Sequence, residues 1–332
     1  MRLLNTFSLA LALAVLPASA ATTLKIATVA PDGTAWMREM RAAGDAVKKG
    51  TEDRVELKFY PGGVMGDNAT VLRKIKIGQL QGGAFTGGEA SVITKDAEIY
   101  TVPFLFRNQE EVDKVRPKVD PLIKDAVRKT GFELLGLSGG GFAYLMSTKD
   151  IRTRDDLRNA KVWVPQGDEI AELTFRTAGV TPIPLPLADV YTSLQTGLID
   201  TAANTDSGAI AFQWHTKIKH VVDMPVIYVV GEVLLDKKAF DALSEADRKV
   251  VSDEFTAGFA RLEKINRSDN ASAREALRKQ GVTFFTPEAA ERSRWEGVGA
   301  ETYKQLTAQH AFSPELQKAL DAALAEARGG TQ

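Results

Sequence analysis

The sequence predicts an α/β protein with mixed, largely parallel sheets, and the stretch 160–207 carries most of this prediction. Strand-like and helix-like segments alternate there at the spacing of a βαβ crossover: 161–164, 168–177, 181–185, 187–196 and 198–203. Gly179 and Gly197 follow the two helical segments as end signals. Alternation at this length is typical of parallel sheets covered by helices. Because such sheets bind ligands at the carboxyl ends of their strands, we expect a site near 165–168 and 204–206.

The rest of the chain continues this alternation. Asp67 is the expected N-cap, and Gly78 the expected end, of a helix at 69–77. Apolar residues recur on one face of 244–280, which predicts a long helix. A length of 332 residues suggests about two domains. The remaining predicted segments are strands at 23–29, 54–60 and 282–285, a helix at 34–49, and a last helix that begins at Pro314.

Residues 1–20 have the features of a secretory signal peptide. Arg2 precedes an apolar run at 7–16, and Ala18-Ser19-Ala20 provides a cleavage site of small residues. The apolar run is shorter than the roughly 20 residues that span a bilayer. The chain contains no cysteine, so we expect neither a lipid on an N-terminal cysteine nor a disulfide. These features predict a periplasmic mature protein without direct membrane insertion.

Composition argues against several classes of function. A formal net charge of −1 does not suit a nucleic-acid partner, which usually requires a basic surface. His215 and His220 lie five residues apart, about 140° around a helix, so a shared metal site is not expected. The glycine clusters at 82–83, 87–88 and 139–141 lack the ending of a phosphate loop and suit close backbone approach. We therefore predict no metal, no cofactor and no catalytic residue.

Several segments closely resemble the substrate-binding proteins of TRAP transporters. They follow that family's order and spacing: ATVAPDGTAW at 27–36, the segment at 60–80, VPFLFRN at 102–108, IRTRDDLRNAKVWVP at 151–165 and VYTSLQTGLID at 190–200. The resemblance implies a two-lobed periplasmic binding-protein fold with a central ligand cleft and a long helix that bridges the lobes. It also implies that a small organic solute is delivered to the membrane permease subunits of a TRAP transporter. The implied extents are 22–139 plus 232–271 for the first lobe and 140–231 plus 272–328 for the second.

The resemblance also places ligand-binding residues, and the chain departs from the family at two of them. In most relatives an arginine stands at the position of Trp163 and pairs with a ligand carboxylate; a second arginine is common at Ala143. A guanidinium suits that task because it donates two parallel hydrogen bonds to the carboxylate. Asn204 matches a ligand-contacting asparagine of the family. The other candidate positions are Val29, Asp67, Thr86, Phe142, Gln166 and Leu187.

The loss of both arginines leaves three ligand classes open. We expect a neutral, amphipathic or aromatic ligand first, because a buried carboxylate would lack its counter-charge and Trp163 offers an aromatic face. An amine comes second, and depends on acidic residues in the cleft: Glu89, Asp168, Asp206 and Glu232. An acid held by another cation or by backbone N–H groups comes third, with Arg107, Arg152 and Arg176 as the nearest arginines in sequence.

Other interpretations of these residues stay open. Each acid also suits a solvated loop or a helix cap, and Asp168 stands where an N-cap is expected. Trp163 would equally suit a packing role in the core. The same fold would serve a periplasmic sensor that presents its ligand to a membrane receptor. An enzyme is a weaker alternative, because the sequence shows no arrangement of nucleophile, base and oxyanion donors.

Overall fold

The computed structural model describes residues 21–86 and 93–329. The predicted signal peptide and Glu89 lie outside these residues. The strands are β1 (Thr22–Thr28), β2 (Val55–Tyr60), β3 (Gly82–Thr86), β4 (Phe132–Ser147), β5 (Trp163–Pro165), β6 (Ile183–Leu185), β7 (Thr201–Asn204), β8 (His220–Asp236) and β9 (Thr283–Phe285). The helices are α1 (Ala35–Gly50), α2 (Asn68–Lys76), α3 (Gln109–Lys129), α4 (Glu169–Thr177), α5 (Val190–Thr196), α6 (Asp206–Ala211), α7 (Lys237–Asp241), α8 (Glu245–Lys279), α9 (Ala289–Ala308) and α10 (Pro314–Ala327).

A mixed sheet runs through the molecule in the strand order β2-β1-β3-β8-β4-β7, with β9 beside β8. Strand β1 is parallel to β2 and β3, and β9 is parallel to β8. Strand β8 is antiparallel to β3 and β4, and β4 is antiparallel to β7. Strands β5 and β6 form a separate parallel pair. The predicted α/β class with mixed sheets is confirmed.

Buried side chains cover both faces of the sheet at each of its two ends. Leu134 and Leu135 of β4 belong to core clusters on opposite faces at one end, and Leu145 and Met146 do the same at the other. Successive residues of a strand point to opposite faces, so each end has its own two-sided core. The molecule therefore has two lobes, and β4 and β8 pass through both.

The packing of α10 bears on the extents of the lobes. This helix lies against α3, and its Leu316 and Leu320 belong to a core cluster of the first lobe. The extents 22–139 plus 232–271 and 140–231 plus 272–328 stay a prediction, and this packing favours moving α10 from the second lobe to the first.

Helix α8 lies against both lobes. The side chain of Ser244 caps its start by accepting a hydrogen bond from the Asp247 N–H. Phe255 and Phe259 pack in the first lobe, near α1, whereas Leu277 packs in the second. The predicted long bridging helix is confirmed. Within 21–86 and 93–329, no helix combines the length and apolar character needed to cross a membrane.

Short local signals determine where the elements around the cleft begin and end. Asp67 and Asp168 cap α2 and α4, with side chains that accept hydrogen bonds from the N–H groups of Thr70 and Ala171. Gly197 ends α5 in the left-handed conformation, with φ at 72°. The helix predicted at 187–196 is divided into a 3₁₀ turn and α5.

Candidate ligand-binding site

A cavity with a volume of about 130 Å³ lies where the carboxyl ends of β5 and β7 meet Leu145, near the end of β4, and the middle of β8. We call it the inner cavity. One face of α4, part of α9 and the loop before α3 complete its walls. Most of the wall is apolar, and its large side chains include Phe104, Leu145, Trp163, Phe175, Ile227 and Trp295. The cavity therefore suits a group that binds by burial of apolar surface.

Trp163 is held in place by two contacts and still lines the inner cavity. Its indole N–H donates to the carbonyl oxygen of Leu185 at 2.9 Å. Its ring meets that of Trp214 edge to face, with centroids 5.5 Å apart. The side chain is 6% exposed. Because the N–H is already bonded, Trp163 can offer a ligand aromatic surface but no hydrogen bond.

Asp168 is the one ionisable side chain among the described residues that line the inner cavity. It is 4% exposed and accepts a hydrogen bond from the Ala171 N–H at 2.8 Å, at the start of α4. Burial raises the pKa of Asp168 to about 6, although hydrogen bonds from the N–H groups of Ala171 and Ile170 act in the opposite direction. The cavity thus carries a potential negative charge and, on the described wall, no positive one.

The hydrogen-bonding groups of the inner cavity are few. The hydroxyls of Thr101 and Thr174 donate to the carbonyl oxygens of Glu98 and Ile170 within their own helical turns. Asn204, at the end of β7, accepts a hydrogen bond from the Thr205 N–H through its side-chain oxygen. Its amide nitrogen has no partner among the described residues and can donate to a ligand. Asn204 is therefore the clearest polar contact that the structure offers.

A larger space of about 550 Å³ adjoins the inner cavity, and we call it the outer chamber. It lies between the loop from β1 to α1 on one side and α6 on the other, with α8 along its length. Its charged lining residues are Arg38 and Asp269, both exposed. Val29, Thr86 and Asn204 also line it. Groups from both lobes therefore face this space.

A third, smaller recess of about 50 Å³ adjoins these two. It contains Asp67, Gln166, Leu187 and Val29. Leu187 also lines the inner cavity, and Val29 also lines the outer chamber. A hydrogen bond from the side chain of Thr70, then one from its N–H, holds the pKa of Asp67 below its usual value. The candidate residues from strand ends and helix starts thus surround one connected region.

Some candidate residues lie elsewhere. Phe142 packs edge to face on Tyr228 in the first lobe's core, and Ala143 is fully buried in β4; neither lines the three spaces described above. Asp206 is buried and paired with Arg274, whose Nε lies 2.8 Å from its carboxylate. Burial raises the pKa of Asp206, and Arg274 opposes that shift. Glu89 is not among the residues that the structure describes.

Comparison with known proteins identifies the family. The family model for bacterial extracellular solute-binding protein, family 7, matches residues 26–310. The chain belongs to this family. It is 23% identical over 306 residues to the C4-dicarboxylate-binding periplasmic protein DctP of Rhodobacter capsulatus, covering 90% of this chain and 89% of that protein. It is 25% identical over 259 residues to the ectoine/5-hydroxyectoine-binding periplasmic protein UehA of Ruegeria pomeroyi, covering 74% of each.

The fold is shared with solved structures of the same kind. A TRAP periplasmic solute-binding protein from Desulfovibrio salexigens, with bound orotic acid, superposes with a TM-score of 0.84 at 20% identity. The match covers 92% of this chain and 99% of that chain. The resemblance inferred from the sequence motifs is confirmed, as are the two-lobed fold and the role in solute binding.

The three arginines that are nearest in sequence to the predicted anchor position do not reach the described walls of the inner cavity, the outer chamber or the recess. Arg107, Arg152 and Arg176 have exposed side chains that pair with Glu111, Asp150 and Glu172, and none lines the three spaces. The stretch 87–92, which the structure does not describe, is Gly-Gly-Glu-Ala-Ser-Val and contains no basic residue.

The sequence did not predict every residue of the inner cavity's wall. Phe104, Phe175 and Trp295 come from a loop and two helices that are remote in sequence from the motif around Trp163. In the structure, Phe104 is marked by its backbone: its φ of 58° is unusual for a bulky residue. Its N–H donates to the carbonyl oxygen of Val226 at 2.7 Å, which fixes this strained turn beside the cavity.

Proposed function

We propose that this solute-binding protein is the periplasmic receptor of a TRAP-type transporter and delivers a small organic solute to the membrane permease subunits. The proposal is supported by the family, by the periplasmic relatives and by the signal peptide expected at 1–20. The two lobes are connected by β4, β8 and α8, and groups from both face the outer chamber. That arrangement suits hinge closure around a bound solute.

We propose further that the ligand's buried part is neutral and apolar, so that the ligand is an aromatic or amphipathic compound and not a simple dicarboxylate. The observation that carries this proposal is the wall of the inner cavity, which presents Trp163 and Asp168 and no cation among its described residues. A carboxylate placed there would lose its hydration without gaining a counter-charge. It would also lie near the carboxyl group of Asp168.

An amine is the second candidate, and Asp168 is the observation that favours it. A protonated amine in the inner cavity would gain a buried counter-charge, and the faces of Trp163 and Phe175 would offer cation–π contact. The relative named for ectoine and 5-hydroxyectoine supports a wider ligand range in this family than dicarboxylates alone.

The test is a thermal-shift screen of the mature protein after unfolding and refolding to remove any bound solute. The panel contains carboxylates, neutral aromatic or amphipathic compounds, and amines. A ligand that binds only the folded state raises the melting temperature. We expect neutral aromatic compounds to do so, and Ala171→Leu, which fills the inner cavity from α4, to abolish the effect. Stabilisation by carboxylates alone would overturn the proposed ligand class.

A further inference from the structure

The inner cavity and the outer chamber share part of their walls. Thr86, Asn204, Phe212 and Val229 line both spaces. Two of these four side chains are polar and stand at the ends of β3 and β7, where the two spaces meet. A molecule that fills the inner cavity therefore has a direct continuation past Asn204 into the outer chamber.

The two spaces differ in size and in chemistry. At about 130 Å³, the inner cavity is similar to apolar cavities of about 150 Å³ that admit a benzene molecule. The outer chamber is about four times larger and offers hydroxyl, amide and charged groups. The polar side chains there include Thr34, Arg38, Ser207, Asn266, Asp269 and Ser272. One space suits a single ring, and the other suits a hydrated, hydrogen-bonding group.

Resting on the proposed function, we propose that the ligand is a two-part molecule. A ring-sized apolar group fills the inner cavity, a polar group occupies the outer chamber, and the link between them passes Thr86 and Asn204. The polar group meets the loop from β1 to α1 in the first lobe and α6 in the second. The polar part of the ligand therefore contacts both lobes, while the ring gives most of the burial.

Three uncharged probes separate the parts. Toluene presents only the ring, N-acetylalaninamide presents only the polar part, and N-acetylphenylalaninamide joins the two. If both spaces are used at once, the joined probe binds at least about ten-fold more tightly than either part, because the second contact becomes intramolecular. Calorimetric titration of the mature protein measures the three affinities.

Two substitutions, each of which fills one of the spaces with a larger side chain, test whether the ring binds in the inner cavity and the polar group in the outer chamber. Ala171→Leu narrows the inner cavity, and Ser272→Met, at an exposed position of α8, narrows the outer chamber. Ala271→Met is the matched control, because Ala271 is exposed on the same helix and lines neither space. Circular dichroism confirms that each variant is folded before binding is compared.

The expected pattern is specific. The joined probe binds at least about ten-fold more weakly to both filled variants than to the wild type. Toluene loses affinity only for Ala171→Leu, and N-acetylalaninamide loses affinity only for Ser272→Met. Ala271→Met leaves all three unchanged. If Ala171→Leu abolishes binding of the ring while Ser272→Met leaves the joined probe unaffected, the two-part ligand is wrong and the apolar ligand class stands. If none of the probes binds and carboxylates do, the proposed ligand class itself is wrong.

Discussion

Asp168 combines a structural role with an electrostatic one. Its side chain caps α4, and its burial beside the inner cavity makes the charged form unfavourable in the folded protein. The folded-state pKa of about 6 lies above the ordinary value of 3.8. The native state therefore holds the proton more tightly than the unfolded state, and its stability falls as pH rises from about 4 to about 6.

Asp168→Asn keeps a good helix cap and removes this ionisation. We expect the variant to match the wild type at pH 4 and to exceed it above pH 6.5, by at most about 3 kcal/mol for a shift of about two units. Urea unfolding at both pH values measures the difference. Asp67→Asn is the control with the opposite sign, because hydrogen bonds to Thr70 lower the pKa of Asp67. Equal effects of pH on both variants would contradict this account.

At the scale of the element, α8 is bonded to both lobes along its length. Glu263 accepts a hydrogen bond from Arg116 of α3 at 2.6 Å. Further along, Arg274 pairs with Asp206 of α6 at 2.8 Å. Between them, Asn270 donates to the carbonyl oxygen of Gly140 at 2.7 Å. The helix thus contacts the first lobe, the crossing strand β4 and the second lobe in order.

Arg116→Met tests the contact with the first lobe. Arg116 is buried and also pairs with Asp120 at 2.9 Å, so its removal takes the closest cation from two partly buried carboxylates, those of Asp120 and Glu263. We expect a loss of about 3–5 kcal/mol in the free energy of unfolding. The control is Lys249→Met, also on α8, because Lys249 is 74% exposed and its pair with Asp253 is worth at most about 1 kcal/mol. Similar losses in the two variants would argue against a buried ionic contact.

Gly141 marks an irregular point of β4 that only glycine suits. Its φ is 109°, the pairing of β4 with β8 shifts there, and an added Cβ would lie 2.5 Å from the side-chain nitrogen of Asn270. Gly141→Ala should therefore cost about 1–3 kcal/mol and displace Asn270 from Gly140. Gly140→Ala is the control, since its nearest contact would be 3.3 Å away and its φ is not positive. Denaturant unfolding compares the two, and an equal cost would contradict the prediction.

Local signals along the sequence predicted many elements, including the long helix α8, but not the long strand β4 or helix α3. Strand β4 contains the glycine cluster 139–141. That cluster suggested close backbone approach, and a continuous strand through both lobes was not predicted there. Helix α3 contains Pro117 and Pro121, and proline normally argues against a helix interior. In contrast, the segments between 160 and 207 lie within a few residues of their predictions, because glycine ends and N-caps are local.

For the whole molecule, the parts of the site that depend on local signals could be predicted from the sequence, and the parts that depend on long-range packing could not. Strand ends and caps are local, so Trp163, Asp168 and Asn204 could be placed near one another from the sequence. The walls formed by Phe104 and Trp295 depend on how a loop and α9 pack from distant parts of the chain. Packing at that distance leaves no periodic pattern, and the depth of the inner cavity was therefore not predictable.

For the whole molecule, the central proposal is that the inner wall of the cleft selects against negative charge. On the described wall, Trp163 stands at the position where the family resemblance predicts an arginine, and Asp168 is the ionisable group of that wall. Exclusion of carboxylates should be strongest while Asp168 is ionised, and should weaken below pH 6 as Asp168 is protonated.

The most direct measurement is a pair of calorimetric titrations at pH 7.5 with benzamide and benzoate, which have nearly the same shape and differ in charge. The account predicts that benzamide binds, and that benzoate binds at least about ten-fold more weakly, because its carboxylate meets no counter-charge. Binding of benzoate as tight as that of benzamide, or tighter, would show that a cation, such as Arg38 of the outer chamber, compensates the bound carboxylate, and would contradict the account.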